Sequence, residues 1–308
     1  MKVLVTCPPM LRQIDRFATN FAHHGMEFYA PDVLQSLPEA ELVELIPYYD
    51  GWIIGDDPAT ANVFEAGSSG RLKAAVKWGI GVDNVNFAAA ERFGIRIANT
   101  PGLFGEEVAD LALHYLIALA RRTFEIDRGI RAGEWPKPVG RSIAGKTVAL
   151  VGFGDIGRNF AKRALALGLH VIVYDPAISF DDVFPHVLKR WPDGIEQCHF
   201  LVLACALTPS SRKMVNRETL ALMGSHVQLV NVSRGGLIDE PALIDALQAD
   251  EIDSAALDVF DREPLSLDSP LRAFSRCILG SHNGSNTAEA VGRASHKAIT
   301  VLAELLKV

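Results

Sequence analysis

Six short buried-strand patterns follow Lys146, and each runs into a polar or glycine-rich end: Thr147–Val151, His170–Tyr174, Phe200–Ala204, Val227–Val232, Ser254–Leu257 and Cys277–Leu279. Helical stretches fill the gaps, including Ile156–Leu167 and Pro241–Gln248. Buried strands joined by helical crossovers pair in parallel, which makes this region a doubly wound α/β sheet. Such sheets bind ligands beyond the carboxyl ends of their strands. Those ends carry Gly152, Asp175, Cys205, Ser233-Arg234, Asp258 with Glu263 soon after, and His282.

The first end reads Gly152-Phe153-Gly154-Asp155-Ile156-Gly157. It follows a strand, opens a helix, and precedes by 18 residues the acid Asp175. That context marks a dinucleotide site. Gly152 permits the tight turn, Gly154 lets backbone approach a pyrophosphate, and Gly157 lets helix and strand pack closely. Amides at the helix start, around Asp155, Ile156 and Gly157, are expected to meet the pyrophosphate. Asp175 is expected to accept from the adenosine ribose hydroxyls and to repel a 2′-phosphate. The next residues are Pro176 and Ala177, with no cation, so NAD is favoured over NADP.

The first hundred residues carry five further strand candidates: Lys2–Thr6, Met26–Tyr29, Trp52–Ile54, Ala74–Trp78 and Arg96–Ala98. Five strands with intervening helices predict a smaller flavodoxin-like unit. Asn99-Thr100-Pro101-Gly102 punctuates the chain, a long helix is expected near Glu106–Arg122, and Gly129–Ser142 reads as an excursion. Asn286–Val308 is helical by period, with one apolar stripe of Val291, Ala294, Ala298, Leu302 and Leu305, and Asn286 with Glu289 as its cap. A terminal helix after a finished sheet is expected to return to the first domain. The expected architecture is therefore two doubly wound parallel-sheet domains. A Rossmann NAD-binding domain (99–284) is inserted in a flavodoxin-like substrate domain (1–98 and 285–308).

A net charge of −7 argues against nucleic acid as a partner. The most apolar stretch, Val108–Ala120, is too short to span a bilayer and holds Asp110 and His114, so no membrane span is expected. Cys7, Cys198, Cys205 and Cys277 show neither CxxC pairing nor metal-ligand spacing. They read as reduced thiols of a cytoplasmic protein, with no metal site.

Asn231-Val232-Ser233-Arg234-Gly235-Gly236, Ala256-Leu257-Asp258-Val259-Phe260, Glu263-Pro264 and Ser281-His282-Asn283 occur in that order. With Gly79-Ile80-Gly81-Val82-Asp83-Asn84, Asn99-Thr100-Pro101-Gly102 and Val108-Ala109-Asp110, they make the chain resemble the D-specific 2-hydroxyacid dehydrogenases, and among them phosphoglycerate-dehydrogenase-like members. The resemblance spans nearly the whole chain. It implies NAD-dependent interconversion of a small D-2-hydroxy acid and its 2-keto acid. His282 is then the acid/base, because a histidine titrates near neutral pH. Glu263 fixes its tautomer, and Arg234 binds the substrate's carboxylate and carbonyl oxygens with a planar fork of donors. Val108, Cys205, Val232, Ser233 and Asp258 are implied at the cofactor, with Cys205 a small pocket wall and Asp258 near the nicotinamide carboxamide. Lys77 and the amides of Gly79, Ile80 and Gly81 are implied at the substrate carboxylate side. The resemblance also implies a homodimer and two domains that close over a cleft. An NAD(H)-sensing, corepressor-like binding protein is the alternative within the same family.

Three departures from the family pattern stand out. Ala204 and Ala206 stand where relatives commonly have His and Pro, and Asp110 where many have Glu. The loop after the third strand reads Gly55-Asp56-Asp57-Pro58, where phosphoglycerate dehydrogenases commonly carry basic residues. Two carboxylates there would oppose a phosphate, with Lys77 as a compensating charge. D-3-phosphoglycerate stays a substrate candidate, and no appended regulatory domain is expected after the terminal helix.

Overall fold

The computed structural model describes residues 1–183 and 185–307 and divides into two compact units: 1–104 with 286–308, and 105–285. The predicted end of the last helix at Val308 lies outside the described residues.

The first unit holds a five-stranded parallel sheet of β1 (Lys2–Val5), β2 (Glu27–Tyr29), β3 (Gly51–Ile54), β4 (Ala74–Lys77) and β5 (Arg96–Asn99), in the order β2-β1-β3-β4-β5. Residues alternate between its two faces. Leu4, Trp52, Ile54 and Ala75 meet Leu42, Ile46, Val63 and Phe64 of the helices on one side. The helix Ala288–Leu306 covers β3, β4 and β5 on the other. A side chain at Gly51 would strike Leu302 and Leu306 at 3.1–3.2 Å, so the strand lies close under that helix. The helix is capped by Thr287, whose hydroxyl accepts from the Ala290 amide at 3.1 Å. This corrects the expectation of Asn286. Thr287 stands three residues before Ala290, the spacing that an N-cap side chain needs.

The first unit keeps the chain through Phe104, six residues past the expected boundary at Ala98. Gly79 and Thr100 exchange hydrogen bonds, Phe104 packs on Trp78, and Arg293 donates to the Leu103 carbonyl.

Among the described residues the second unit holds seven parallel strands, not six. They are β6 (Thr147–Val151), β7 (His170–Tyr174), β8 (Val187–Leu188), β9 (Phe200–Leu203), β10 (Gln228–Asn231), β11 (Ser254–Leu257) and β12 (Ile278–Leu279), in the order β12-β11-β10-β9-β6-β7-β8. The extra strand, β8, is a two-residue edge strand with Val187 exposed, too short to show a period. Ala149, Val151, Leu201, Leu203, Leu229 and Leu257 face a core with Leu220, Leu243 and Leu247. The helices Gly105–Arg121 and Asp155–Ala166 pack on each other and on this sheet. Between these two helices, Arg163 pairs with Asp110 at 2.6 Å. The expected excursion begins later than Gly129, because the helix Thr123–Arg131 includes that residue. Among the described residues no helix is long and apolar enough to cross a membrane.

Asp57 anchors the strand-end loops of the first unit. It is fully buried, and burial raises its carboxyl above the usual range. It accepts from the Thr6 hydroxyl, the Leu37 amide (2.9 Å) and the Gly55 amide (3.0 Å). Asp57→Ala would orphan those donors, and urea unfolding should show a loss of about 2–4 kcal/mol.

Candidate active site

In the second sheet β6 is an interior strand, and the chain builds outward in opposite directions from it, which puts the topological switch between β6 and β9. The loops after these strands touch. Gly152 has φ +94°, and a side chain on it would lie 2.7 Å from the backbone of Ala204 and Cys205. A side chain on Gly157 would lie 2.1 Å from the Gly152 carbonyl, so helix and loop meet backbone to backbone. Gly154 differs: nothing stands within 4 Å of where its side chain would be. Gly154 and Asp155 are exposed, and Ile156 is half-buried. The helix makes its first internal bond from the Arg158 amide to the Gly154 carbonyl, so the amides of Asp155, Ile156 and Gly157 precede the helical ladder. Asp155 also lies against Gly105.

Asp175 follows β7, and its two oxygens accept from the amides of Phe153 (2.8 Å) and Ala177 (2.9 Å). The carboxylate is thereby fixed beside the glycine loop with lone pairs remaining on each oxygen. An open glycine backbone, uncommitted first-turn amides and a fixed carboxylate suit a dinucleotide's pyrophosphate and ribose.

Cys205 is half-buried, and burial pushes its thiol up to about 11, so it stays protonated and a poor nucleophile at neutral pH. Its carbonyl accepts from the Ser233 hydroxyl, which ties the ends of β9 and β10 together. Val232 is buried. Asn231 shapes the next turn by accepting from the Ser233 amide (3.1 Å) and donating to the Arg234 carbonyl (2.8 Å). Arg234 is half-buried, and one guanidinium nitrogen donates to the Ser233 carbonyl at 2.8 Å. Gly235 is required here, because a side chain would lie 1.8 Å from the Phe260 carbonyl carbon.

That contact presses the loop of Arg234 onto the loop of Glu263. One oxygen of Glu263 accepts from the Phe260 amide at 3.0 Å, and the other lies 2.8 Å from Nδ1 of His282. A carboxylate facing Nδ1 selects the tautomer, or the cation, with a proton there. Nε2 lies across the ring from that contact. The Glu263 and His282 side chains keep 19% and 23% exposure, enough for a substrate to reach them.

Asp258, expected near the nicotinamide carboxamide, lies inside the protein. It is 1% exposed, its Oδ2 accepts from the Gly284 amide at 2.9 Å, and its Oδ1 from the Tyr115 hydroxyl at 3.4 Å. Val108 is buried beneath the same segment, against Gly284. Tyr115 was not singled out in the sequence. Its signal is a hydroxyl on the buried face of an otherwise aliphatic helix, where it needs a partner. His170 and His199 stand at the starts of β7 and β9, the edge opposite this chemistry, and His199 meets His226 edge to face. His114 packs against Phe124.

The strand ends of the first unit hold the other candidates. Lys77 is buried, and its ammonium donates to the Gly55 carbonyl (2.5 Å) and pairs with Asp56 (3.1 Å). Gln35 also donates to Asp56. Of the two loop carboxylates expected to face a substrate, Asp57 is sealed inside, so only Asp56 is half-exposed. The Gly79 amide, expected to meet a carboxylate, donates to the Thr100 hydroxyl at 2.8 Å. Ile80 is exposed and Gly81 half-buried. Among the described residues no three His, Cys, Asp or Glu side chains are grouped to hold a metal ion.

The sequence model of the D-isomer specific 2-hydroxyacid dehydrogenase, NAD binding domain, matches residues 113–284. The chain belongs to the D-isomer-specific 2-hydroxyacid dehydrogenase family. It is 36% identical to the hydroxypyruvate reductase of Thermotoga maritima, over 84% of this chain and 85% of that one. It is 37% identical to the D-3-phosphoglycerate dehydrogenase of Synechocystis over 84% of this chain, and spans only 47% of that relative's length. The apo-structure of D-lactate dehydrogenase from Escherichia coli superposes with a TM-score of 0.86 at 25% identity, covering 100% of this chain and 97% of that one. The protein is therefore an NAD-dependent oxidoreductase of CH–OH donors that interconverts 2-hydroxy and 2-keto acids.

Gly235→Ala forces two loop backbones apart. Thermal denaturation should show a midpoint several degrees lower, by about 4 °C or more. NADH oxidation by the same variant should be nearly lost.

Proposed function

We propose that the second unit carries the catalytic set, with His282 as acid/base, Glu263 as its partner and Arg234 as the substrate's anchor. The observation that carries this reading is the 2.8 Å contact between Glu263 and Nδ1 of His282, which fixes the ring and its tautomer. NAD, when bound, supplies or accepts the hydride. In the reducing direction Nε2 of His282 gives its proton to the carbonyl oxygen as that oxygen gains charge. In the oxidising direction it takes the hydroxyl proton. Glu263 stabilises the imidazolium between these states. Arg234 holds the carboxylate beside the reacting carbon in a fixed orientation. Gly154, Asp155, Ile156, Gly157 and Asp175 hold the dinucleotide, with Cys205, Val232 and Ser233 lining its inner end.

Selection among acids is assigned to the first unit, to Lys77, Ile80 and Gly81 at its strand ends. Lys77 already shares its charge with Asp56, so a phosphate gains little there. A small unphosphorylated D-2-hydroxy acid is the reading this supports. D-3-phosphoglycerate is the second reading, favoured by the names of the Synechocystis and Arabidopsis thaliana relatives. A panel of 2-keto acids with NADH, phosphorylated and unphosphorylated side by side, separates the two. Turnover only with phosphorylated acids would overturn the first. His282→Ala should lower kcat by about three orders of magnitude with NADH affinity retained, read by absorbance at 340 nm and by fluorescence titration.

A homodimer in the cytoplasm completes the proposal. Its supports are four free cysteines and the exposed apolar side chains Ile130, Trp135 and Val139. Light scattering at micromolar concentration is expected to give twice the 33.4 kDa chain mass.

A further inference from the structure

His282 has φ +54°, a left-handed conformation that a residue with a side chain seldom adopts. It costs about 1–2 kcal/mol and persists only where neighbours enforce it. The enforcing contacts converge on Asp258. Its backbone carbonyl accepts from the His282 amide at 2.6 Å, and its Oδ2 accepts from the Gly284 amide at 2.9 Å. One residue thus grips both ends of residues 282–284. Its remaining oxygen, Oδ1, faces the hydroxyl of Tyr115, which stands on the helix Gly105–Arg121 and is 6% exposed. The chain passes so close to this pair that a side chain at Gly280 would lie 2.3 Å from Oδ1 and 2.5 Å from the Tyr115 hydroxyl.

We propose that Tyr115 is a positioning residue for His282, acting through Asp258. Together they form a buried clamp on residues 282–284. The clamp fixes the backbone of His282 while Glu263 fixes its ring. The imidazole is then held at two points, and the direction of Nε2 follows from both. Without the hydroxyl, Oδ1 is a buried carboxylate oxygen lacking its donor, a penalty the carboxylate relieves by turning. Turning releases the Gly284 amide and lets the left-handed residue relax. This inference rests on the reading of His282 as acid/base.

Tyr115→Phe keeps the ring and its packing. Expected is a fall in kcat of about ten- to a hundredfold, with KM for the keto acid and Kd for NADH held to about twofold. Hydrogen exchange at the His282 and Gly284 amides should quicken by about tenfold or more, with β10 and β11 unchanged. Asp258→Asn, which turns an amide toward one of its two donors, should give the same pattern. Parental kcat and exchange in both variants would overturn the proposal. So would equal loss of turnover and NADH binding with exchange raised across the sheet, which marks general destabilisation. His282→Ala separates the two ideas. Parental turnover in that variant refutes the acid/base reading, while exchange in Tyr115→Phe still reports on the clamp.

Discussion

Parallel pairing puts the carboxyl end of every strand in a sheet on one edge, and the second unit concentrates its polar chemistry there. β10, β9 and β6 lie side by side, so Ser233, Cys205 and Gly152 become neighbours although they are far apart in sequence. Hydrogen bonding along the ladder fixes the register, and register fixes which residue emerges first. Asn231 pairs with Leu203 and Leu257, so the segments after all three strands leave at the same level.

Glycine turns this adjacency into contact. At Gly152, Gly157 and Gly235 the neighbouring backbone comes closer than any side chain allows. These positions carry no reactive group, yet they set the distances between the groups that do. Glu263 shows the dependence: it reaches His282 from a loop whose amide at Phe260 it also binds, and that loop rests on Gly235.

The sequence made the strands legible wherever burial left a run of four or five apolar residues. Thr147–Val151, His170–Tyr174 and Ser254–Leu257 have the bounds expected of them. It was silent on β8, whose two residues are too few to show a period, and it misplaced the last helix cap by one residue because Asn286 and Thr287 are both good caps. The polar strand ends were visible as residues but not as partnerships. Asp56 and Asp57 look alike in the chain; only packing turns one inward onto two amides and a hydroxyl and pairs the other with Lys77. Tyr115 was hidden on the apolar face of a helix whose other buried residues are aliphatic or small.

The neutral pairing of Asp56 with Lys77 bears on how substrate preference can change over time. The pair belongs to a unit with its own sheet and core, and the Asp56 side chain is 36% exposed while its lysine partner is 3% exposed. Replacing the acid would leave a buried cation without its carboxylate, and an anionic group on the substrate could take the acid's place. A lineage could then move between unphosphorylated and phosphorylated acids by a single change in a loop. The hydride machinery of the other unit would be inherited intact.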